Sequence, residues 1–185
     1  MPYARRVGAD VEDHIVIVGS RSVVDRPDAI AWARARIAAV LATMPDARVL
    51  TGDASGVDAL AIRAGRYWTM LGREGGITHG APVPPDWPGM PHGDFAGWWI
   101  GHPHGPPRPE GHAEWKARLL ARDRALADHA RGVQDGGGRV VAVGLVVPWS
   151  RTHGTEYTVR QLLERGVKAT VEVFDPKKVV GDGGL

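Results

Sequence analysis

The sequence predicts an α/β protein: a doubly wound, mostly parallel sheet with helices on both faces. Three observations carry that expectation. His14-Ile15-Val16-Ile17-Val18 and Arg139 to Val147 are near-continuous β-branched runs, the pattern of strands covered on both sides rather than strands with one wet face. A shorter run at Val49-Leu50 leads, like the other two, through a glycine-containing turn into a helical pattern. Strand-like and helix-like periods alternate along the chain, which favours parallel pairing through helical crossovers.

Residues 1–13 carry Arg5 and Arg6 without periodicity and suit a loose lead-in. The first strand ends in Gly19-Ser20-Arg21-Ser22. Pro27 suits the first position of a helix, with Asp25 and Asp28 beside its start, and Ile30, Ile37, Leu41 and Met44 recur near the helical period. The dinucleotide-binding pattern G-x-G-x-x-G is absent here. The second unit, Arg48 to Ala64, reads as a strand, the turn Thr51-Gly52-Asp53-Ala54-Ser55-Gly56, and a helix start. Gly52 and Gly56 allow positive φ or close backbone approach. Ser55 is the expected N-cap, and Asp58 falls in the first turn, where a carboxylate is favoured. Such a turn aims backbone N–H groups and the positive helix end at one spot, which suits an anion; an ordinary strand-to-helix connection is the plainer alternative.

After Gly65 the pattern fades, with a short strand expected near Gly76–His79. Residues 80–110 are dense in proline, glycine, tryptophan and histidine, which disfavours helix and strand. This stretch, about 78–112, reads as an ordered loop insertion. Trp87, Phe95, Trp98 and Trp99 can pack in it, form an oligomer contact or stack a base. The spacing of His79, His92, His102, His104 and His112 matches no standard metal pattern, so no metal site is expected. A helix is expected from Glu110 to about Ala130. At about 100° per residue, Trp115, Leu119, Leu126 and His129 share a stripe with Arg122 in its middle. A guanidinium on such a stripe either forms an internal ion pair or serves as an anion clamp. After a break at Gln134–Gly138 and the strand ended by Pro148, His153-Gly154-Thr155-Glu156 leads into a helix closing at Gly166. Lys168–Phe174 is the last expected strand, and the tail from Lys177 is expected to fray.

A chain of 185 residues, with 43% apolar and 24% charged residues, suits one soluble domain, 1–185, with its core at about 14–175. A net charge of +2 is too small to argue for nucleic acid by itself. There is no cysteine, which excludes disulfides, thiolate catalysis and cysteine metal sites. No apolar run approaches membrane-spanning length and Met1-Pro2-Tyr3 opens no signal-peptide pattern, so a cytoplasmic protein without a membrane partner is expected.

Taken in order, IVIVGSRS, LTGDASGVDALA, ARDRALADHA and HGTEYTV resemble the SLOG superfamily of Rossmann-like proteins, named for the DNA-processing Smf proteins and the Lonely Guy enzymes. The similarity covers roughly residues 14–175, with 78–112 divergent, and is nearest to the YspA-like, cpYpsA-related branch of bacteria and phages. It implies binding of a nucleotide or nucleotide-derived molecule in a cleft at the strand C-terminal ends, with no further cofactor. Gly19, Ser20 and Arg21 match the family's first loop; Gly52, Gly56 and Asp58 match its second motif, with Asp53 in the same turn. Arg122 matches the arginine of an Arg-Asn pair whose asparagine is replaced by Asp123. Gly154 and Thr155 match the phosphate-facing Gly-Thr. The Lonely Guy enzymes cleave a nucleotide's N-glycosidic bond with an arginine and a glutamate, so in an enzyme Arg122 and Glu156 would be catalytic. In those enzymes, however, the glutamate stands where this chain has Thr158, and their Pro-Gly-Gly lead is Arg151-Thr152-His153 here. Both departures point away from phosphoribohydrolase activity. A nucleotide-binding sensor or defence-signalling component is the leading expectation. A nucleotide N-glycosidase and a weak single-strand binder are the alternatives, and a homo-oligomer is expected in each case.

Overall fold

A computed structural model describes residues 12–72, 76–80, 112–150 and 153–179. The strands are β1 (His14–Gly19), β2 (Arg48–Gly52), β3 (Trp68–Leu71), β4 (Ile77–Gly80), β5 (Val140–Val146) and β6 (Ala169–Val173). The helices are α1 (Pro27–Thr43), α2 (Val57–Ala64), α3 (His112–Asp135), α4 (Gly154–Glu164) and the short α5 (Pro176–Val179), with a 3-10 turn at Arg21–Asp25. The strands form one sheet in the order β4-β3-β2-β1-β5-β6. All pairs are parallel except β3–β4. This is the expected Rossmann-like α/β arrangement.

The continuous apolar runs sit at the centre because both faces of the sheet are covered. Ile15 and Ile17 of β1 pack with Ala33 and Ile37 of α1 and Val57 and Ile62 of α2. Their neighbours Val16 and Val18 pack on the other face with Leu126 and Ala130 of α3 and Val159 and Leu162 of α4. The chain therefore leaves β1 toward one face and β5 toward the other. The loops after these adjacent strands diverge, which opens a crevice at their C-terminal ends.

Several local expectations are corrected. Strand β3 lies where the sequence pattern fades: its four residues are too few to show a period, and its buried setting between β2 and β4 comes from pairing alone. The strand near Gly76–His79 exists, but as an antiparallel edge. Helix α3 continues five residues past Ala130 before the Gly136-Gly137 turn, where Gly137 has φ 95°. Ser55 is not the N-cap of α2. Gly56 holds that place at φ 81° with no side-chain cap. A side chain there would meet the Ser20 carbonyl at 2.6 Å and the Arg21 Cα at 2.7 Å, so Gly56 lets the second loop close on the first. The tail does not fray at Lys177, because α5 spans Pro176–Val179 against α1. Pro27 does open α1, and Gly166, at φ 77°, ends α4 in a Schellman motif: its N–H bonds the Leu163 carbonyl and that of Val167 bonds Leu162. Most of the expected insertion, residues 81–111, lies outside the described residues, with Trp87, Phe95, Trp98, Trp99, His92, His102 and His104.

Candidate functional site

The crevice is a cleft of about 840 Å³ at the sheet's C-terminal ends, and all three glycine loops reach it. Gly19 and Arg21 come from the first loop, Ala54 and Asp58 from the second, and His153, Gly154, Thr155 and Glu156 from the third. Arg122 and Asp123 of α3 close one side. Of the expected site residues, Gly19, Arg21, Asp58, Arg122, Gly154, Thr155 and Glu156 therefore line one space. Ser20, Gly52, Asp53 and Gly56 do not line it and act from behind.

Ser20 is buried and ties the two central strands together. Its N–H donates to the Leu145 carbonyl at 2.9 Å, and its hydroxyl accepts from the Val147 N–H at 3.2 Å. Trp149 adds a second tie, its indole N–H donating to the Ser22 carbonyl at 3.0 Å. These bonds fix the loop after β5 against the loop after β1, and so set the mouth of the cleft.

The floor is an ionic cluster. The Arg122 side chain is 10% exposed. Its Nη1 donates to Asp53 Oδ1 at 2.7 Å, while Nε and Nη2 both donate to Asp123 Oδ1, at 3.0 and 2.7 Å. Asp58 lies alongside and accepts the Gly19 N–H on Oδ1 at 3.2 Å and the Ala54 N–H on Oδ2 at 3.3 Å. Gly52 leaves the room this needs, since a Cβ there would meet Asp58 Oδ2 at 2.8 Å and Arg122 Cζ at 3.0 Å. Burial pushes the Asp58 carboxyl up to about 6, against the pull of Arg122 and the Ala54 N–H. Burial also works against the charge on Arg122, but Asp123, Asp53 and Asp58 outweigh it and hold the guanidinium above its ordinary range. Three carboxyls thus surround one guanidinium. Of its five N–H groups, two have no partner among the described residues. Arg122 is first an internal ion-pair residue and only in part open to the cleft.

The start of α4 lines the same cleft. The first N–H groups of a helix have no intrahelical acceptor, and His153, at the N-cap, offers no side-chain cap. A Cβ on Gly154 would meet nothing within 4 Å. Glu156 lies beside this turn, its side chain 43% exposed and 3.7 Å from His153 Nδ1. Lys116 and Arg160 add positive charge to the lining, and Arg160 stacks over the Tyr157 ring at 5.2 Å. Sequence reasoning missed Lys116, Tyr157 and Arg160 as lining residues, because single basic or aromatic positions on a helix carry no spacing signal; His153 was legible only as part of the His-Gly-Thr loop. Asp123 was legible only as the neighbour of Arg122.

Comparison with protein-family models, with curated proteins and with solved structures returns no match. Among the described residues, no helix is long and apolar enough to cross a membrane.

Proposed function

We propose that the cleft binds a nucleotide or nucleotide-derived small molecule through its phosphate. The observation that supports this reading is the N-terminus of α4, where His153 makes no side-chain cap, lining a cleft at the point where the chain leaves adjacent strands toward opposite faces. Orphan N–H groups and the helix dipole favour a phosphate there. Arg21, Lys116 and Arg160 favour the same sign of ligand, while the carboxyls around Arg122 would accept hydrogen bonds from hydroxyl or amino groups. The reading agrees with the SLOG resemblance of the three loops and with a sensor role, in a cell interior.

Gly154→Asp tests it, since the position has open space and a carboxylate at a helix start leaves the fold intact. Titration of purified protein with nucleoside monophosphates and the matching nucleosides should show phosphate-dependent binding. Gly154→Asp should weaken it by about 1.5–3 kcal/mol, the range for hydrogen bonds to charged groups, with an unchanged melting temperature. Binding that ignores the phosphate or the substitution overturns the reading.

Glycoside cleavage is a second reading, favoured by one observation: Asp58, with its raised pKa, and Glu156 line the same cleft. Glu156 leaves the helix in a direction about 200° from the Thr158 position, at about 100° per residue. The expected result with nucleoside monophosphates is therefore no, or very slow, release of free base. Rapid release that disappears in Glu156→Gln would promote the enzyme. For single-stranded nucleic acid, the acidic floor and small net charge support only weak, salt-sensitive binding.

A further inference from the structure

Among the described residues, one side of β6 makes no strand pairing. Strand β6 ends the sheet, and among the described residues only β5 pairs with it. The Lys168 carbonyl accepts from the Ala142 N–H, and the Phe174 N–H donates to the Val146 carbonyl. Backbone groups alternate in direction along a strand, so Lys168, Thr170, Glu172 and Phe174 turn theirs toward β5. Ala169, Val171 and Val173 turn theirs outward. The side chains of these same three residues share the sheet face covered by α4, where Ala169 packs against the Val159–Leu162 cluster. Val171 and Val173 are nevertheless 41% and 59% exposed, and Leu163, on the helix packed over β6, is 53% exposed. The strand Ala169-Thr170-Val171-Glu172-Val173 contains no proline or lysine of the kind that protects an edge, and its one charge, Glu172, is held by Arg36.

We propose that β6 pairs antiparallel with β6 of a second copy, with the two-fold axis at Val171, joining two sheets into one. This register uses every outward residue: Val171 opposite Val171, and Ala169 opposite Val173 twice. At two bonds for each of these three pairs, it forms six backbone hydrogen bonds. It places Val171 and Val173 against apolar partners on the α4 face. On the other face Thr170 stands opposite Glu172, which Arg36 already holds with bonds of 2.5 and 2.8 Å. An axis one residue later would set the two Glu172 side chains against each other, and like charges directly opposite are unfavourable. Glu172 thus selects the register, and the three outward apolar residues are matched by the same three residues of a second copy.

The full chain contains no cysteine, so a single introduced thiol reports the pairing. Directly opposed hydrogen-bonded residues stand about 5.5 Å apart at Cα, within disulfide reach. Val171→Cys should cross-link to a dimer under mild oxidation, whereas Val141→Cys, exposed but on β5, which is paired on both sides, should not. Light scattering should show the unmodified protein as a dimer in the micromolar range. Val171→Lys or Val173→Lys should raise the dissociation constant at least about tenfold, and Ile77→Lys, on the opposite edge, should leave it unchanged. A monomer across that range, a dimer indifferent to both lysine variants, loss of the dimer in Ile77→Lys, or no cross-link at Val171 would each overturn the proposal. None of these outcomes depends on the ligand.

Discussion

At the scale of single residues, Arg122 and Asp58 carry the chemistry of the cleft floor, with opposite consequences. Arg122 neutralises carboxyls that are themselves removed from water. Taking it away leaves Asp53, Asp58 and Asp123 facing one another, and breaking a buried pair from one side costs about 3–5 kcal/mol. Since Arg122 stays 10% exposed, the lower end applies. Arg122→Ala is expected to lose about 3 kcal/mol in chemical denaturation, before any effect on ligand. A loss under 1 kcal/mol would show that the cluster is not held by its charge. Asp58 acts through its proton. Its folded pKa, about 6, lies above the unfolded 3.8, so the folded state binds the proton more tightly. The associated stability is fully present below pH 3.8 and is lost as pH rises through 6. Asp58→Asn should cost about 1 kcal/mol at low pH, for one lost acceptor, and should remove that pH-dependent loss. Denaturation curves from pH 4 to 7 would reveal it, and an unchanged slope would contradict it.

At the scale of elements, helix ends matter most. At the start of α4 the N-cap residue His153 makes no side-chain cap, while the far end is closed by the Schellman bonds of Gly166 and Val167. The Gly166 φ of 77° is strained for any side chain, and a Cβ there would also approach Arg131 Nη1 at 3.2 Å. Gly166→Ala should therefore lose about 1 kcal/mol or more, measured by melting. Because this end lies away from the cleft, ligand affinity should not change. A change in affinity without a change in stability would mean that the two ends of α4 are not independent.

For the whole molecule, the two ends of the sheet carry different chemistry. At the C-terminal ends lie the cleft and its carboxyls; at the other end β1 begins with the buried His14, whose ring meets that of His129 on α3 at 5.8 Å. The His14 Nδ1–H donates to the Glu12 carbonyl at 3.0 Å. Burial holds both histidines below 6.5, with His14 and His79 adding to the effect on His129. Below pH 6.5 the unfolded chain takes up protons that the folded chain excludes, so this contribution to stability falls as pH falls through the lowered folded values. It opposes the trend from Asp58. His129→Gln should flatten the loss of melting temperature between pH 7 and 5, as read by calorimetry. A profile identical to that of the unsubstituted protein would remove His129 from the account.

The sequence by itself determined the α/β class, the central strands β1 and β5, the Pro27 start of α1 and the Gly166 end of α4. Each rests on local physics: continuous β-branched runs, a fixed proline φ, a glycine free to adopt positive φ. It also marked three glycine loops, and these meet at one cleft because β1, β2 and β5 run parallel, which puts their C-terminal ends on one side. Only the tertiary structure decided which of their residues line that cleft and which brace it. Ser20, Gly52 and Gly56 proved to be close-approach and tying positions, because their neighbours come from distant loops and from α3. Asp53 became a partner of Arg122 across 69 positions of sequence, a separation that no local pattern reports. Strand β3 was invisible for the same reason: four residues show no period, and their place is fixed by the strands on either side.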